Sequence, residues 1–261
     1  MVTLENLTVS YRQHPALHHV SGHFARGSLT AVVGPNGSGK STLLKCIMGL
    51  LPLPGGQLTV SAAAGRIAYL PQLAEIERNF PIDVRDCVSL GCWPLKRAWA
   101  SVDGAQLARV DAALRDVGLQ GFGQRPISSL SSGQLQRVLF ARMMVQDADL
   151  IVLDEPFAAV DSKTTAALLT TIGRWHAERR TVIAVLHDDA QVSQHFPQTL
   201  LLARELVAWG PTATVLTQAN LATARAMAEA WDDSADVCYL DALAALQSQA
   251  AAQTPPKQLA V

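Results

Sequence analysis

The sequence has no excess of charge of one sign: 21 lysines and arginines stand against 22 aspartates and glutamates in 261 residues, a formal net charge of -1. Chains that track nucleic acid usually carry a basic surplus, so no nucleic-acid partner is expected. Nor does any uninterrupted apolar run approach the roughly 20 residues that cross a bilayer as a helix. The most apolar stretches, such as Leu150-Ile151-Val152-Leu153, are short and end in acids, as buried strands do. The opening Met1-Val2-Thr3-Leu4-Glu5-Asn6 has neither a basic nor an apolar leader segment, so no secretory signal is expected. Cysteine is scarce. Cys46, Cys87, Cys92 and Cys238 form no CxxC pair, which argues against a zinc ribbon or a thioredoxin-type centre. Scattered reduced thiols fit a cytoplasmic protein. No internal repeat is visible.

What is present is material for a core. Hydrophobic residues make up 49% and charged residues 16%, enough for one large domain or a domain with a small lobe. Residues 2–11 and 17–25 alternate apolar and polar positions and predict edge or hairpin strands. Residues 28–33 predict a buried strand that runs into a Gly-rich turn, and 40–50 predict a helix. Gly49, Pro52, Pro54, Gly55 and Gly56 predict a loop after it. Further strands are expected at 66–70, 149–153 and 181–186, with a helix at about 162–178. Between about 75 and 145, helical patterns broken at Pro81, Pro94, Gly118 and Pro126 predict a second, helical lobe. Strand, helix and strand with buried runs mean an α/β sheet. From about 218 the chain turns rich in Ala and Gln; two short helices, 219–230 and 239–251, and a frayed tail are expected.

Gly34-Pro35-Asn36-Gly37-Ser38-Gly39-Lys40-Ser41-Thr42 satisfies GxxxxGK[ST] between a predicted strand and a predicted helix, the context such a phosphate loop requires. Glycines let backbone wrap phosphate oxygens, and the helix N-terminus turns N–H groups and partial positive charge towards them. Lys40 can neutralise the β- and γ-phosphates, and Ser41 can ligate Mg²⁺. Leu150-Ile151-Val152-Leu153-Asp154-Glu155-Pro156 is an apolar strand ending in two acids. Adjacent strand residues face opposite ways, so Asp154 can serve Mg²⁺ while Glu155 polarises a water.

A phosphate loop with an acidic strand leaves kinases, GTPases, helicases and transporter ATPases open. Leu130-Ser131-Ser132-Gly133-Gln134-Leu135-Gln136-Arg137 decides among them, because it resembles the LSGGQ signature of ABC ATPases, placed as that family places it. The resemblance spans about the first 215 residues and includes Tyr11 as the A-loop aromatic, Gln72 of the Q-loop, Asp161 of the D-loop and His187 of the H-loop. It implies an α/β P-loop NTPase core with an antiparallel β lobe and an inserted helical lobe, over 1–217, followed by an extension over 218–261. It implies ATP and Mg²⁺ as cofactors, Tyr11 stacking on adenine, and Gln72 reaching the metal or the lytic water. His187 would contact the γ-phosphate and Glu155. Ser131, Ser132, Gly133 and Gln134 would start a helix binding the γ-phosphate held by a second copy of the chain. Ser132 departs from the pattern, which has glycine there; a backbone requiring positive φ would make this costly.

A homodimer docked on a separate membrane permease, at the cytoplasmic face of the membrane, follows from the resemblance. Glu155 speaks against a non-hydrolysing module, and no long insertion or second cassette points to a soluble ABC ATPase. The segment Phe80-Pro81-x-x-Val84-x-Asp86-x-Val88-x-x-Gly91 looks like that of zinc and manganese importer ATPases, with a looser version in iron-chelate and vitamin importers. It implies import of a divalent metal, zinc ahead of manganese, fed by a periplasmic or extracellular binding protein. His14, His18, His19 and His23 are expected as surface side chains of a hairpin, with His18 and His19 on opposite faces.

Overall fold

The computed structural model describes residues 1–11, 14–63, 65–95 and 103–229. Its elements in chain order are β1 (Val2–Tyr11), β2 (His14–Phe24), β3 (Leu29–Val33), α1 (Lys40–Ile47), β4 (Gly55–Val60), β5 (Ile67–Leu70), α2 (Val84–Ser89), α3 (Gly104–Asp116), α4 (Ser132–Val145), β6 (Leu150–Asp154), α5 (Ser162–Ala177), β7 (Thr181–Val185), α6 (Asp189–His195), β8 (Gln198–Ala203), β9 (Glu205–Pro211), α7 (Thr212–Val215) and α8 (Gln218–Glu229). The helix expected at 239–251 and the tail lie outside the described residues.

Six strands make one sheet in the order β5-β6-β7-β3-β8-β9, parallel except for the antiparallel β8–β9 hairpin. Its central strands are covered on both faces, which is why they read as continuous apolar runs. On one face Ala31, Val33, Ile151, Leu153, Val182 and Ala184 meet Leu135 and Val138 of α4 and Leu168, Ile172 and Trp175 of α5. On the other, Val32, Leu150, Val152, Ile183 and Val185 meet Leu43, Leu44 and Ile47 of α1. Leu4, Leu7, Leu17 and Phe24 from a second sheet, the antiparallel β2-β1-β4, join that second core. With the helices, this is the expected α/β P-loop architecture.

The loop expected through Gly55 and Gly56 is a correction: both belong to β4, which pairs with β1 from Thr8↔Gly55 to Val2↔Val60. The glycines serve a bulge between Glu5 and Thr8, where Gly56 adopts φ 84 and an added Cβ would lie 2.2 Å from the Asn6 carbonyl oxygen. The histidine geometry is corrected as well. His19 takes φ 52 next to a register shift, so the alternation of the strand breaks and the His18 and His19 rings sit side by side with centroids 4.2 Å apart. His18 Nδ1 pairs with Glu205 (2.8 Å), and His19 Nδ1 with Asn6 Oδ1 (2.6 Å). Among the described residues no cluster of three or more His, Cys, Asp or Glu could hold a metal.

The helical region forms around Val84, Val88, Val110, Leu114, Leu135 and Val138, all buried. Asp83 caps α2 by accepting from the Asp86 N–H, and Asp103 and Gln106 close a capping box on α3. Gly91 lets the chain after α2 lie against α4, since a Cβ there would come within 2.2 Å of the Arg142 carbonyl oxygen. Half of the Phe80–Gly91 pattern is therefore packing: Val84, Val88 and Gly91 are buried, whereas Pro81 and Asp86 are exposed and Phe80 stays 58% exposed.

Candidate functional site

The phosphate loop leaves the carboxyl end of β3, the central strand, as ligand loops do in open α/β sheets. Gly39 caps α1 with φ 91, and a Cβ on it would sit 2.1 Å from the Ala16 carbonyl oxygen of β2. Conformation and close approach both demand glycine. From the other side the β8–β9 turn braces the loop, with the Arg204 N–H donating to the Ser38 carbonyl (2.9 Å). Lys40 is buried beneath, and its Nζ donates to the carbonyls of Gly34 (2.9 Å) and Pro35 (2.8 Å) and approaches Ser38 Oγ (3.3 Å). Burial holds the ammonium below the usual lysine range, opposed by the charges of Glu155 and Asp154. Those neutral carbonyl partners are weaker than a phosphate oxyanion would be, so the cation is ready to exchange them.

The two acids at the end of β6 have different surroundings. Asp154 is fully buried, and burial pushes its carboxyl up to about 6 despite a hydrogen bond from Ser41 Oγ to Oδ1 (3.3 Å). Its Oδ2 is buried without a hydrogen-bond partner among the described residues. A hydroxyl beside a buried carboxylate with one idle oxygen is a hard-oxygen set that suits Mg²⁺. Glu155 leaves the strand with φ 51, in the left-handed region. Its Oε1 accepts from Gln72 Nε2 (2.8 Å) and meets His187 Nε2 (2.7 Å). A carboxylate only accepts, so His187 carries its proton on Nε2.

These groups open on one cleft of about 420 Å³, lined by Ala16, Asn36, Gly37, Ser38, Gly39, Lys40, Ser41, Thr42, Gln72, Glu155 and His187, within the range of small-ligand sites. Phosphate donors and a held base thus face one volume, and the buried Asp154 reaches it through Ser41, whose Oγ it holds. Gln72 is positioned by the turn that follows it, where Glu75 forms an ion pair with Lys45 of α1 (2.6 Å). Tyr11 ends β1 opposite His14; the stacking expected of its ring falls outside the described side chains.

The signature residues lie elsewhere. Ser131, Ser132, Gly133 and Gln134, with Arg137, Ala159, Val160 and Asp161, line a separate cleft of about 400 Å³ that shares no residue with the first. Ser131 caps α4 in a capping box: its Oγ accepts from the Gln134 N–H, and Gln134 Oε1 accepts from the Ser131 N–H. The side-chain oxygen of Gln134 is thus spent on the helix cap. Ser132 is the first helical residue and has no positive φ, so its departure from glycine carries no backbone strain. Asp161 caps α5, and hydrogen bonds from Thr164 hold its carboxyl below the usual range.

Sequence reading did not single out Ala16, Arg204, Lys45 or Glu75. Nothing local marks them, since each acts through a partner distant in sequence.

Comparison with known proteins agrees with this geometry. The family pattern described as ABC transporter matches residues 17–158. A zinc transport system ATP-binding protein of Treponema pallidum is 40% identical over 223 residues, covering 83% of this chain and 84% of its own. A manganese transport system ATP-binding protein of Listeria monocytogenes is 38% identical, covering 84% and 93%. Among solved structures, an ABC transporter assigned to the metal-chelate type, in an inward-facing conformation, superposes with a TM-score of 0.74 at 28% identity, covering 86% of this chain and 88% of its own. A phosphate loop, an acid-tipped strand and a separate signature cleft, matched over most of the chain by proteins of one kind, place it in the ABC transporter family, as an ATP-binding subunit whose ATP hydrolysis is coupled to transport.

Proposed function

We propose that this chain hydrolyses ATP in a symmetric pair of composite sites and thereby powers uptake of a divalent transition metal through a separate membrane permease. The observation that carries the hydrolytic part is the single Glu155 oxygen held between Gln72 and His187 at the mouth of the Lys40 cleft. In this reading Lys40 and the backbone of Gly34, Pro35, Asn36, Gly37, Ser38 and Gly39 bind the β- and γ-phosphates, with Thr42 at the start of α1. Ser41 and Asp154, with Gln72 at hand, would hold Mg²⁺, which when bound supplies charge neutralisation to the phosphates. Glu155 accepts a proton from the attacking water, and His187, donating from Nε2, keeps the carboxylate aimed. Gln72 must let go of Glu155 to reach a metal, so its side chain reports occupancy of the cleft. Tyr11 stacks on adenine.

The separation of the signature cleft from the phosphate cleft supports a dimer in which Ser131, Ser132, Gly133 and Asp161 of one chain face the nucleotide of the other. The likeness to a cassette solved as a dimer, 24% identical with a TM-score of 0.73, bears on the fold alone. Among the described residues no helix is long and apolar enough to cross a membrane, in keeping with a peripheral subunit on the cytoplasmic face, over an ATPase unit at 1–217 and an extension at 218–261. The exposed Phe80 lies on the segment between Gln72 and α2. Arg78 of that segment donates to the carbonyl of Leu130, the first residue of the signature (2.9 Å). A permease pressing there would be felt by the Q-loop and the signature alike. A binding protein would deliver the cargo on the far side.

Zinc is the first cargo reading and manganese the second, because relatives named for each match at 40% and 38% identity. The test is a deletion strain grown in chelated medium with one metal restored at a time. Rescue by zinc, or by manganese, supports metal uptake and chooses between them. Normal cellular zinc and manganese together with a defect in iron-chelate or vitamin uptake would overturn the metal reading.

A further inference from the structure

Gln136 of the signature helix reaches the backbone at Glu155 of its own chain. It is fully buried, and its Nε2 donates to the Pro156 carbonyl (3.0 Å) and lies 3.4 Å from the Glu155 carbonyl. The orientation of the amide is dictated, because only the NH₂ end can face two carbonyl oxygens. The other end, Oε1, is buried with no hydrogen-bond partner among the described residues. An idle buried acceptor costs about 1–3 kcal/mol, so an amide is a poor choice for filling space where methionine or leucine would fit.

The backbone it holds needs holding. Glu155 and Ala159, both non-glycine residues, sit in the left-handed region at φ 51 and φ 59. Such conformations cost on the order of 1–3 kcal/mol each and persist only where their surroundings impose them. The same helix presses on that loop one turn earlier, since a Cβ on Gly133 would come within 2.6 Å of the Ala159 carbonyl oxygen. Thus α4 contacts the Glu155–Asp161 loop at both ends.

We propose that Gln136 is a positioning residue for Glu155: its amide fixes the peptide carbonyls on either side of Pro156's nitrogen so that the Glu155 carboxylate meets Gln72 and His187. Because Gln136 and the signature share α4, a nucleotide seated on that helix's N-terminus from a second chain bears on the base of this chain's own site. The inference rests on Glu155 acting at the lytic water, so the experiment carries its own control for that assignment.

The test compares the parent, Gln136→Met, Glu155→Gln and the double variant in the full chain, measuring steady-state kcat and KM, nucleotide affinity and single-turnover rates. Methionine keeps length and apolar volume while removing the donor. Displacing a reacting group by about 1 Å can cost on the order of 10²-fold, so kcat should fall about 10- to 100-fold, with KM and ATP affinity within about 3-fold. In the Glu155→Gln background, Gln136→Met should change the single-turnover rate no further. A parental kcat in Gln136→Met beside a crippled Glu155→Gln overturns the inference, as does an equal loss in both backgrounds. A parental rate in Glu155→Gln overturns the assignment of Glu155 instead. If Gln136→Met does not fold, the isosteric Gln136→Glu, judged by the same criteria, takes its place.

Discussion

Asp154 shows how one buried oxygen can be tested without any transport assay. Its folded-state value is raised from 3.8 to about 6 by burial, so between those values the folded chain binds more protons than the unfolded one. Stability therefore falls as pH rises through that window. Above it, the ionised carboxylate costs the metal-free protein about 3 kcal/mol. Asp154→Asn should accordingly raise the Tm of the chelator-treated protein at about pH 7.5 by several degrees and make little difference near pH 4. It should also abolish the stabilisation that Mg²⁺ with ATP gives the parent. Thermal unfolding across that pH range checks this, and an asparagine variant less stable than the parent at pH 7.5 without metal would contradict it.

Residue chemistry of this kind was legible in advance where a motif carried it. Lys40, Ser41, Asp154 and Glu155 could be named because a phosphate loop and an acid-tipped strand leave little choice of residue type. The cost of Ser132 could not be judged from sequence, since it turned on a φ value. The His18–His19 geometry was misread because alternation assumes an unbroken strand, and the bulge at Asn6 and His19 breaks it.

Among the elements, β3, β6 and β7 announced themselves as apolar runs with both faces buried. By contrast the start of β4 reads as loop, because Gly55 and Gly56 punctuate a sequence whether they close a turn or open a bulge, and the rest of that strand carries no signal of its own. The hairpin of β8 and β9 escaped notice although its turn braces Ser38. A short buried run such as Thr199-Leu200-Leu201-Leu202 does not by itself distinguish strand from helix.

Helix α4 invites a test at its own scale. Gly133→Asp places a side chain against the Ala159 carbonyl oxygen and a negative charge where a phosphate would arrive, so it should disable the signature while leaving the Lys40 cleft whole. Lys40→Ala should do the reverse. If the signature works in trans, each variant alone is inactive. Random pairing of equal amounts then restores about a quarter of the parental sites, since half the dimers are mixed and each has one of two sites intact. An ATPase rate in the mixture no higher than in either variant alone would argue against composite sites.

For the whole molecule, two clefts that share no residue within one chain are the ground for the proposed dimer, in which a second chain would complete each of them. Partner contacts leave almost no mark in a sequence, and the signature was interpretable only through resemblance to a family. The same holds for the permease: Phe80 stands out for its exposure, while the pattern around it, Val84, Val88 and Gly91, is explained by the packing of α2 against α4. Cargo is further removed still, because nothing in an ATPase of this kind need touch it.

In the proposed function, every level depends on Glu155 taking a proton from the attacking water. The most direct measurement is the ATP hydrolysis rate of Glu155→Gln, taken beside nucleotide binding on the same preparation, with Lys40→Ala as the contrasting variant that loses binding itself. Glutamine preserves shape but cannot take the proton, so binding should stay within a few-fold of the parent while hydrolysis falls by about 10²–10⁴. Hydrolysis at the parental rate in Glu155→Gln would contradict the account.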